Sequence, residues 1–177
     1  MTDITVRALG DEEWQVYRDV RLTALRESPD AFAASAAQEE AFDDDFWQTR
    51  VKRSRRLVAQ DGDRVVGVVS VGQVPGGDGK VSELFGLWVA PELRGKGVAW
   101  KLVDAGVRQA RDDHYHFVLY WVGTDNGRAV AFASSYGFRP TDGRRPMHNS
   151  TEEEPEDEMA MSYPLRDDPG AVPSSVL

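Results

Sequence analysis

Residues 83–103 read ELFGLWVAPELRGKGVAWKLV, and this stretch decides the fold. The run that ends at Val89 is apolar in the manner of a strand, and Pro91 breaks it. After two glycines, apolar residues return at helical spacing from Val98 onward. The stretch therefore predicts a strand, a turn that contains glycine and a helix, in that order.

The turn, Arg94-Gly95-Lys96-Gly97, has the chemistry of a phosphate-binding loop. Glycine has no Cβ atom to keep a ligand away from the backbone, and the first N–H groups of a helix have no partner inside the helix. These N–H groups lie at the positive end of the helix dipole and attract a phosphate. Arg94 and Lys96 add positive charge, which favours a diphosphate or a nucleotide. The alternative is a loop that only turns the chain, because a single Gly-x-Gly is a weak signal.

Two motifs resemble those of the GCN5-related N-acetyltransferase (GNAT) family. The first is R-x-x-G-x-A at residues 94–99, directly after the predicted strand, which is similar to the family's acetyl-CoA motif. The second is N-x-R-A at residues 126–129, followed by Y-G-F at 136–138, which is similar to the family's closing motif. The stretch Trp14–Phe32 also resembles many bacterial members. The two motifs occur in the same order as in the family, and membership of this family is our working hypothesis.

The resemblance implies an α/β (α+β) domain with the GNAT acyl-CoA N-acyltransferase fold. This fold has a mixed central sheet of about six to seven strands and about four helices, and the sheet is splayed between the fourth and fifth strands. The residues themselves agree, because strand, helix and strand in succession over 83–122 predict two parallel neighbours. We expect a single domain over 1–165 and a disordered tail over 166–177, where proline, glycine and serine accumulate.

Residues 39–52 predict a helix in the N-terminal half of the chain. In the family this region borders the acceptor substrate, so its aromatic residues Phe42, Phe46 and Trp47 are candidates for an acceptor pocket, together with Phe32. Core packing is the favoured alternative for all four.

Composition excludes several classes of function. The chain has 177 residues, a formal net charge of −9 and no cysteine, which excludes disulfides and thiolate chemistry. The negative charge argues against nucleic-acid binding and favours a cationic amine, although much of it lies in the acidic run 152–158, which predicts a solvated loop. No apolar run reaches the roughly 20 residues of a membrane span, and no signal peptide is visible, so we expect a cytoplasmic protein without membrane contact. The spacing of His114 and His116 does not indicate a metal site.

Acetyl-CoA as co-substrate, without a metal, is what the resemblance implies at the first motif. The backbone of Leu87, Trp88 and Val89 would pair with the pantetheine arm as an added strand does. Main-chain N–H groups of the turn and the first helical turn would hold the diphosphate; these residues are Arg94, Gly95, Lys96, Gly97, Val98, Ala99 and Trp100. Asn126 matches a side chain that contacts the pantetheine, and it is also a candidate N-cap for the following helix.

The implied reaction transfers the acetyl group to a primary amine of a small molecule or a protein, by direct attack in a ternary complex. Glu83 is the candidate base, because burial on the central strand would raise its pKa; the alternative is a surface carboxylate at a strand end. The candidate acid is Tyr136. The alternative is that Tyr136 is a core residue whose hydroxyl group reaches solvent. Ala133 stands where many members carry a catalytic tyrosine, and Trp121 where the ribosomal-protein acetyltransferases carry a glutamate.

Two other functions remain open at this point. One is a non-catalytic acyl-CoA sensor, which would keep the glycine turn and lack the catalytic side chains. Ala133 and Trp121, at positions where family members carry such side chains, favour this alternative. A regulator that binds ATP is disfavoured, because the turn lacks Gly-Lys-Ser/Thr at the proper spacing. The sequence itself does not set the oligomeric state; a homodimer through the C-terminal strands is common in the family.

Overall fold

The structure is a computed structural model that describes residues 3–167 and 170–177. It contains seven strands, which are β1 (Ile4–Ala8), β2 (Arg55–Asp61), β3 (Arg64–Gln73), β4 (Val81–Val89), β5 (Phe117–Gly123), β6 (Arg139–Pro146) and β7 (Asp157–Pro164). Its five α-helices are α1 (Trp14–Glu27), α2 (Ala36–Glu40), α3 (Asp44–Arg53), α4 (Val98–Asp112) and α5 (Gly127–Tyr136). Among the described residues, no helix is long and apolar enough to cross a bilayer.

The seven strands form a mixed sheet in the order β1-β2-β3-β4-β5-β7-β6. The strands β4 and β5 are parallel, which confirms the crossover predicted from the strand, helix and strand pattern. Their ladder runs from Val81↔Phe117 to Leu84↔Tyr120, although both strands continue beyond its last pair. The sheet continues antiparallel from β5 to β7 and from β7 to β6.

The chain divides into two compact units. The first contains Met1–Val71 and Gly86–Gly106, and the second contains Gly72–Phe85 and Val107–Leu177. The division falls inside β4 and inside α4, so each unit takes part of both elements. One domain over 1–165 stays a prediction.

The helix predicted over 39–52 is two helices in the structure. The helix α2 ends at Glu40, and α3 begins after Asp43, whose carboxylate accepts a hydrogen bond from Phe46 N at 2.9 Å. An N-cap of this kind starts a new helix inside a pattern that otherwise reads as continuous. Trp47 is 1% exposed and belongs to the core, as the favoured alternative had it.

The C-terminal stretch packs within the second unit. Val172 and Val176 lie on a buried apolar cluster formed by Val81, Phe117 and Leu119. The disordered tail expected over 166–177 stays a prediction. Residues 168 and 169 lie outside the described part of the chain.

Candidate active site

The glycine turn, residues 94–97, is open on the side that a Cβ atom would occupy. Gly95 has φ +76° and Gly97 has φ +85°, a region that L-residues with side chains seldom adopt. A Cβ atom built on either glycine would meet no atom within 4 Å. Lys101 N donates to Gly97 O at 3.1 Å, so α4 begins directly at the turn. Both glycines therefore face open space beside the start of α4, and the binding of a diphosphate there stays a prediction.

Arg94 is held by the protein, which the sequence did not indicate. Its Nη2 donates to Glu27 Oε2 at 2.6 Å and its Nε donates to Val89 O at 3.0 Å. The same carboxylate oxygen accepts from Trp88 Nε1 at 2.9 Å. Hydrogen bonds from Ser28, Trp88 and Arg94 hold the pKa of Glu27 below its ordinary value. Glu27 therefore neutralises the charge of Arg94, whereas Lys96 is exposed. The binding of a diphosphate by either side chain stays a prediction.

The strand segment Leu87–Val89 follows a glycine with left-handed backbone geometry. Gly86 has φ +65° inside β4, which interrupts the regular alternation of the strand. Beyond it, Trp88 and Val89 are buried and Leu87 is partly exposed. The pairing of this segment with a pantetheine arm stays a prediction.

Glu83 belongs to a group of side chains in the second unit that we call the carboxylate cluster: Glu83, Trp121, Arg145 and Glu158. Arg145 Nη2 lies 3.9 Å from Glu83 Oε1, and Arg145 Nε donates to Glu158 Oε1. The guanidinium carbon lies 4.0 Å from the ring centroid of Trp121. Glu83 is three-quarters buried, and this burial raises its pKa, with Arg145 lowering it and Glu158 raising it. Burial and a raised pKa are features of a general base, and the role of Glu83 as the base stays a prediction.

Strand register brings the cluster together. Glu83 lies opposite Leu119, and Trp121 lies two residues further along β5, on the same face. Arg145 of β6 lies opposite Glu158 of β7, which in turn lies opposite Gly123 of β5. Glu158 was predicted to lie in a solvated loop at 152–158, and this is wrong for Asp157 and Glu158, because both pair with β6 as part of β7.

Tyr136 packs elsewhere. Its ring lies 5.3 Å from Tyr163 and 5.8 Å from Phe138, measured between centroids. Tyr163 is opposite Val118, one residue out of phase with the Glu83 pair, so it projects from the other face of the sheet. The structure therefore does not bring Tyr136 to Glu83, and its role as an acid stays a prediction. Burial also raises the pKa of Tyr120, which makes that phenol a poorer acid.

Asn126 caps α5, as its alternative interpretation predicted. Its Oδ1 accepts from Ala129 N at 3.1 Å. The residue also lines a groove of about 390 Å³ with Gly123 and Met147. Cap and ligand contact are compatible, and the ligand contact stays a prediction. In 3–167 and 170–177, no group of three or more His, Asp or Glu side chains is arranged to hold a metal ion.

Three functional candidates were missed from the sequence: Arg145, Glu158 and Glu27. Arg145 and Glu158 meet only through the register of β6 and β7, and Glu27 meets Arg94 across 67 residues of sequence. The sequence held a weak signal for Glu27. It lies in the last turn of α1, next to Ser28-Pro29, where the negative end of the helix dipole disfavours a carboxylate, and a cation nearby offsets this effect.

Comparison with known proteins identifies the class to which this fold and glycine turn belong. The model of the acetyltransferase (GNAT) family matches residues 22–138, and the chain belongs to this family. A mycothiol acetyltransferase from Rothia mucilaginosa (strain DY-18) is 33% identical in an alignment 142 residues long that covers 71% of this chain and 40% of the relative. An uncharacterized N-acetyltransferase from Archaeoglobus fulgidus is 37% identical over 60 residues, 34% of this chain and 41% of the relative. The chain thus spans well under half the length of these curated relatives.

Solved structures show the same fold at low sequence identity. The yncA protein of Salmonella typhimurium, solved with its cofactor acetyl-CoA, has a TM-score of 0.72 and 19% identity and covers 97% of this chain and 98% of its own. The ribosomal-protein-S18-alanine N-acetyltransferase from Escherichia coli has a TM-score of 0.67 and 17% identity, with 92% and 94% covered.

Proposed function

We propose that the protein is an N-acetyltransferase that transfers an acetyl group from acetyl-CoA to a primary amine of a small molecule or a protein. The observation that carries this proposal is the glycine turn, where two positive-φ glycines leave open space beside the start of α4 in a chain of the GNAT family. A mycothiol acetyltransferase and a ribosomal-protein acetyltransferase among the similar proteins support both classes of acceptor.

The residues present fit acetyl-CoA. Main-chain N–H groups over 94–100 would hold the diphosphate, and the backbone of 87–89 would hold the pantetheine arm, with Asn126 as a further contact. Arg94 contributes by fixing the turn through Glu27 and Val89 O. The bound co-substrate supplies an activated acetyl group as a thioester.

Glu83 removes the proton from the attacking amine, directly or through water. Burial raises the pKa of this carboxyl group, which makes it a better proton acceptor than an exposed glutamate. The Arg145 contact at 3.9 Å is long for a hydrogen bond, so Glu83 keeps its oxygens for the amine or a water. The N–H of Leu87 donates to the carbonyl oxygen as negative charge develops there.

The leaving thiolate takes its proton from water in this proposal. Ala133 is 1% exposed and has no group to donate, while Trp121 lies under the Arg145 guanidinium. A coenzyme thiolate is a tolerable leaving group, which lowers the demand for a dedicated acid. Trp121 in place of a glutamate argues against a ribosomal-protein acceptor.

Calorimetry with acetyl-CoA and a thiol-release assay over a broad amine panel test the proposal. We expect saturable binding of acetyl-CoA and release of free thiol that depends on at least one amine. Absence of any binding of acetyl-CoA or CoA would refute the proposal.

A second function, an acyl-CoA sensor without catalysis, is favoured by the buried Ala133 and the stacked Trp121. The same two measurements separate the functions. Tight acetyl-CoA binding with no turnover across the panel would favour the sensor.

A further inference from the structure

The helix α1 carries an arginine whose position points to the chemistry of the acceptor. Arg21 Nε donates to Glu39 Oε1 at 3.0 Å and Nη2 donates to Glu39 Oε2 at 3.1 Å, a bidentate pair. The side chains of Arg21 and Glu39 are 14% and 4% exposed. A guanidinium held by two parallel bonds in a buried place has a fixed direction, so its third nitrogen points at a defined part of the molecule.

The surroundings of Arg21 are rich in positive charge. Glu39 is shared with Arg50, whose Nη1 donates to Glu39 Oε1 at 2.6 Å. Burial raises the pKa of Glu39, but the two guanidinium groups outweigh it and hold the pKa below its ordinary value. Arg56 is 3% exposed, and burial first, then Arg50 and Arg21 beside it, lower its pKa. One carboxylate shared by two arginines, with a third arginine close by, leaves a positive potential that favours an anion.

The third nitrogen, Nη1 of Arg21, lies beside the backbone of β4 at Gly86. It is 3.9 Å from the place where a Cβ atom of Gly86 would be, and no other atom lies within 4 Å of that place. The Phe32 ring lies on one side of the guanidinium, with 5.0 Å between the guanidinium carbon and the ring centroid. Gly86 directly precedes Leu87, whose N–H is the proposed donor to the acetyl carbonyl. An oriented cation therefore stands one residue away from the place where the amine would react.

We propose that Arg21 binds a carboxylate of the acceptor, so that the substrate is an amine with a carboxylate close to its amino group, of the amino acid class. This inference rests on the proposed acetyltransferase function. A cation at this place attracts a carboxylate through Nη1 and disfavours the ammonium form of the neighbouring amine, which must be neutral to react. It reverses the expectation from composition, where a net charge of −9 favours a purely cationic amine.

Matched pairs of acceptors test the inference in the unaltered protein. Thiol release is measured at saturating acetyl-CoA with the common L-amino acids and with their primary amides. We expect the best acid to exceed its own amide by about 10- to 100-fold in kcat/KM, which corresponds to one hydrogen bond between charged groups. The amide has the less basic amino group, so deprotonation alone would favour the amide. Turnover with equal or better rates for the amides overturns this inference alone, whereas turnover of no amine overturns the proposed function as well.

Variants on α1 separate binding of the carboxylate from support of the fold. Arg21→Gln should raise KM for the acid and remove the preference over the amide, while the Kd of acetyl-CoA changes by less than about twofold. Arg21→Lys, which keeps the charge without the fork, should keep part of the preference. Arg26→Gln is the control, because Arg26 lies on the same helix in an exposed pair with Glu40 and should leave the preference unchanged. A preference that survives Arg21→Gln overturns the assignment.

Discussion

The glycine turn and the carboxylate cluster show two ways of building a functional region. The turn uses backbone geometry and empty space, and all its atoms come from a few consecutive residues. The cluster uses charged side chains from three strands and a tryptophan from a fourth, and the pKa of Glu83 depends on the distances between the charges. A side chain added in the turn should therefore weaken acetyl-CoA binding. A change of charge in the cluster should instead alter the reaction rate and its pH dependence.

The largest effect is expected from a side chain placed in the turn. Gly97→Glu should weaken acetyl-CoA binding about 1,000-fold or more, because it fills the open space and sets a carboxylate against a diphosphate. Isothermal calorimetry measures the loss. Gly62→Glu is the matched control, since Gly62 has φ +62° and no neighbour within 4 Å of its Cβ position, yet lies in the hairpin turn between β2 and β3. Both variants carry the same strain and charge, so equal affinities would break the assignment of the turn.

Removing the charge of Glu83 should cost about 100-fold in kcat/KM at neutral pH, the range of a general base that water partly replaces. The rate of the parent protein should rise with pH as Glu83 ionises, at a pH above the ordinary range of a glutamate because burial raises its pKa. Glu83→Gln should lose this limb of the pH–rate profile. An unchanged rate and profile would remove Glu83 as the base.

Stability supplies the control for Glu83→Gln. A carboxyl group whose folded-state pKa is raised loses stabilising free energy as the pH rises through that pKa. The amide avoids this loss, so the free energy of unfolding at pH 7 should not fall. Urea unfolding measures this free energy. A clear destabilisation would mean that the loss of activity results from impaired folding and not from the loss of a base.

The neighbours of Glu83 should shift the same limb in opposite directions. Glu158→Gln frees Arg145 to approach Glu83 and should move the limb to lower pH. Arg145→Gln removes the nearest cation and should move it to higher pH, since Arg145 lowers and Glu158 raises the pKa of Glu83. Shifts of the same sign in both variants would show that the cluster does not set the pKa of Glu83.

The smallest effect is expected from Arg94. Because its guanidinium is bound by Glu27 and Val89 O, Arg94→Gln should reduce acetyl-CoA affinity less than about tenfold. Calorimetry measures the acetyl-CoA affinity of this variant and of Gly97→Glu for comparison. A loss as large as that of the glycine variant would mean that Arg94 binds the diphosphate directly.

Local pattern predicted the parts of the molecule that local residues determine. The change of period around Pro91 and the cap at Asn126 each specify structure within a few residues, and the structure confirms them. The carboxylate cluster could not be predicted in this way. The strand β6 has no apolar alternation, and its register with β7 is irregular between Pro140 and Arg144, so the arginine that meets Glu158 depends on that irregularity.

Trp88 gives the turn an optical reporter of its own. Its indole N–H and Arg94 bind the same oxygen of Glu27, so a ligand that displaces Arg94 changes the hydrogen bond of a buried indole. Tryptophan fluorescence responds to such a change, and the difference between the parent protein and Trp88→Phe isolates this signal from the other four tryptophans. The signal would thus show, without a label, whether a bound ligand draws Arg94 away from Glu27.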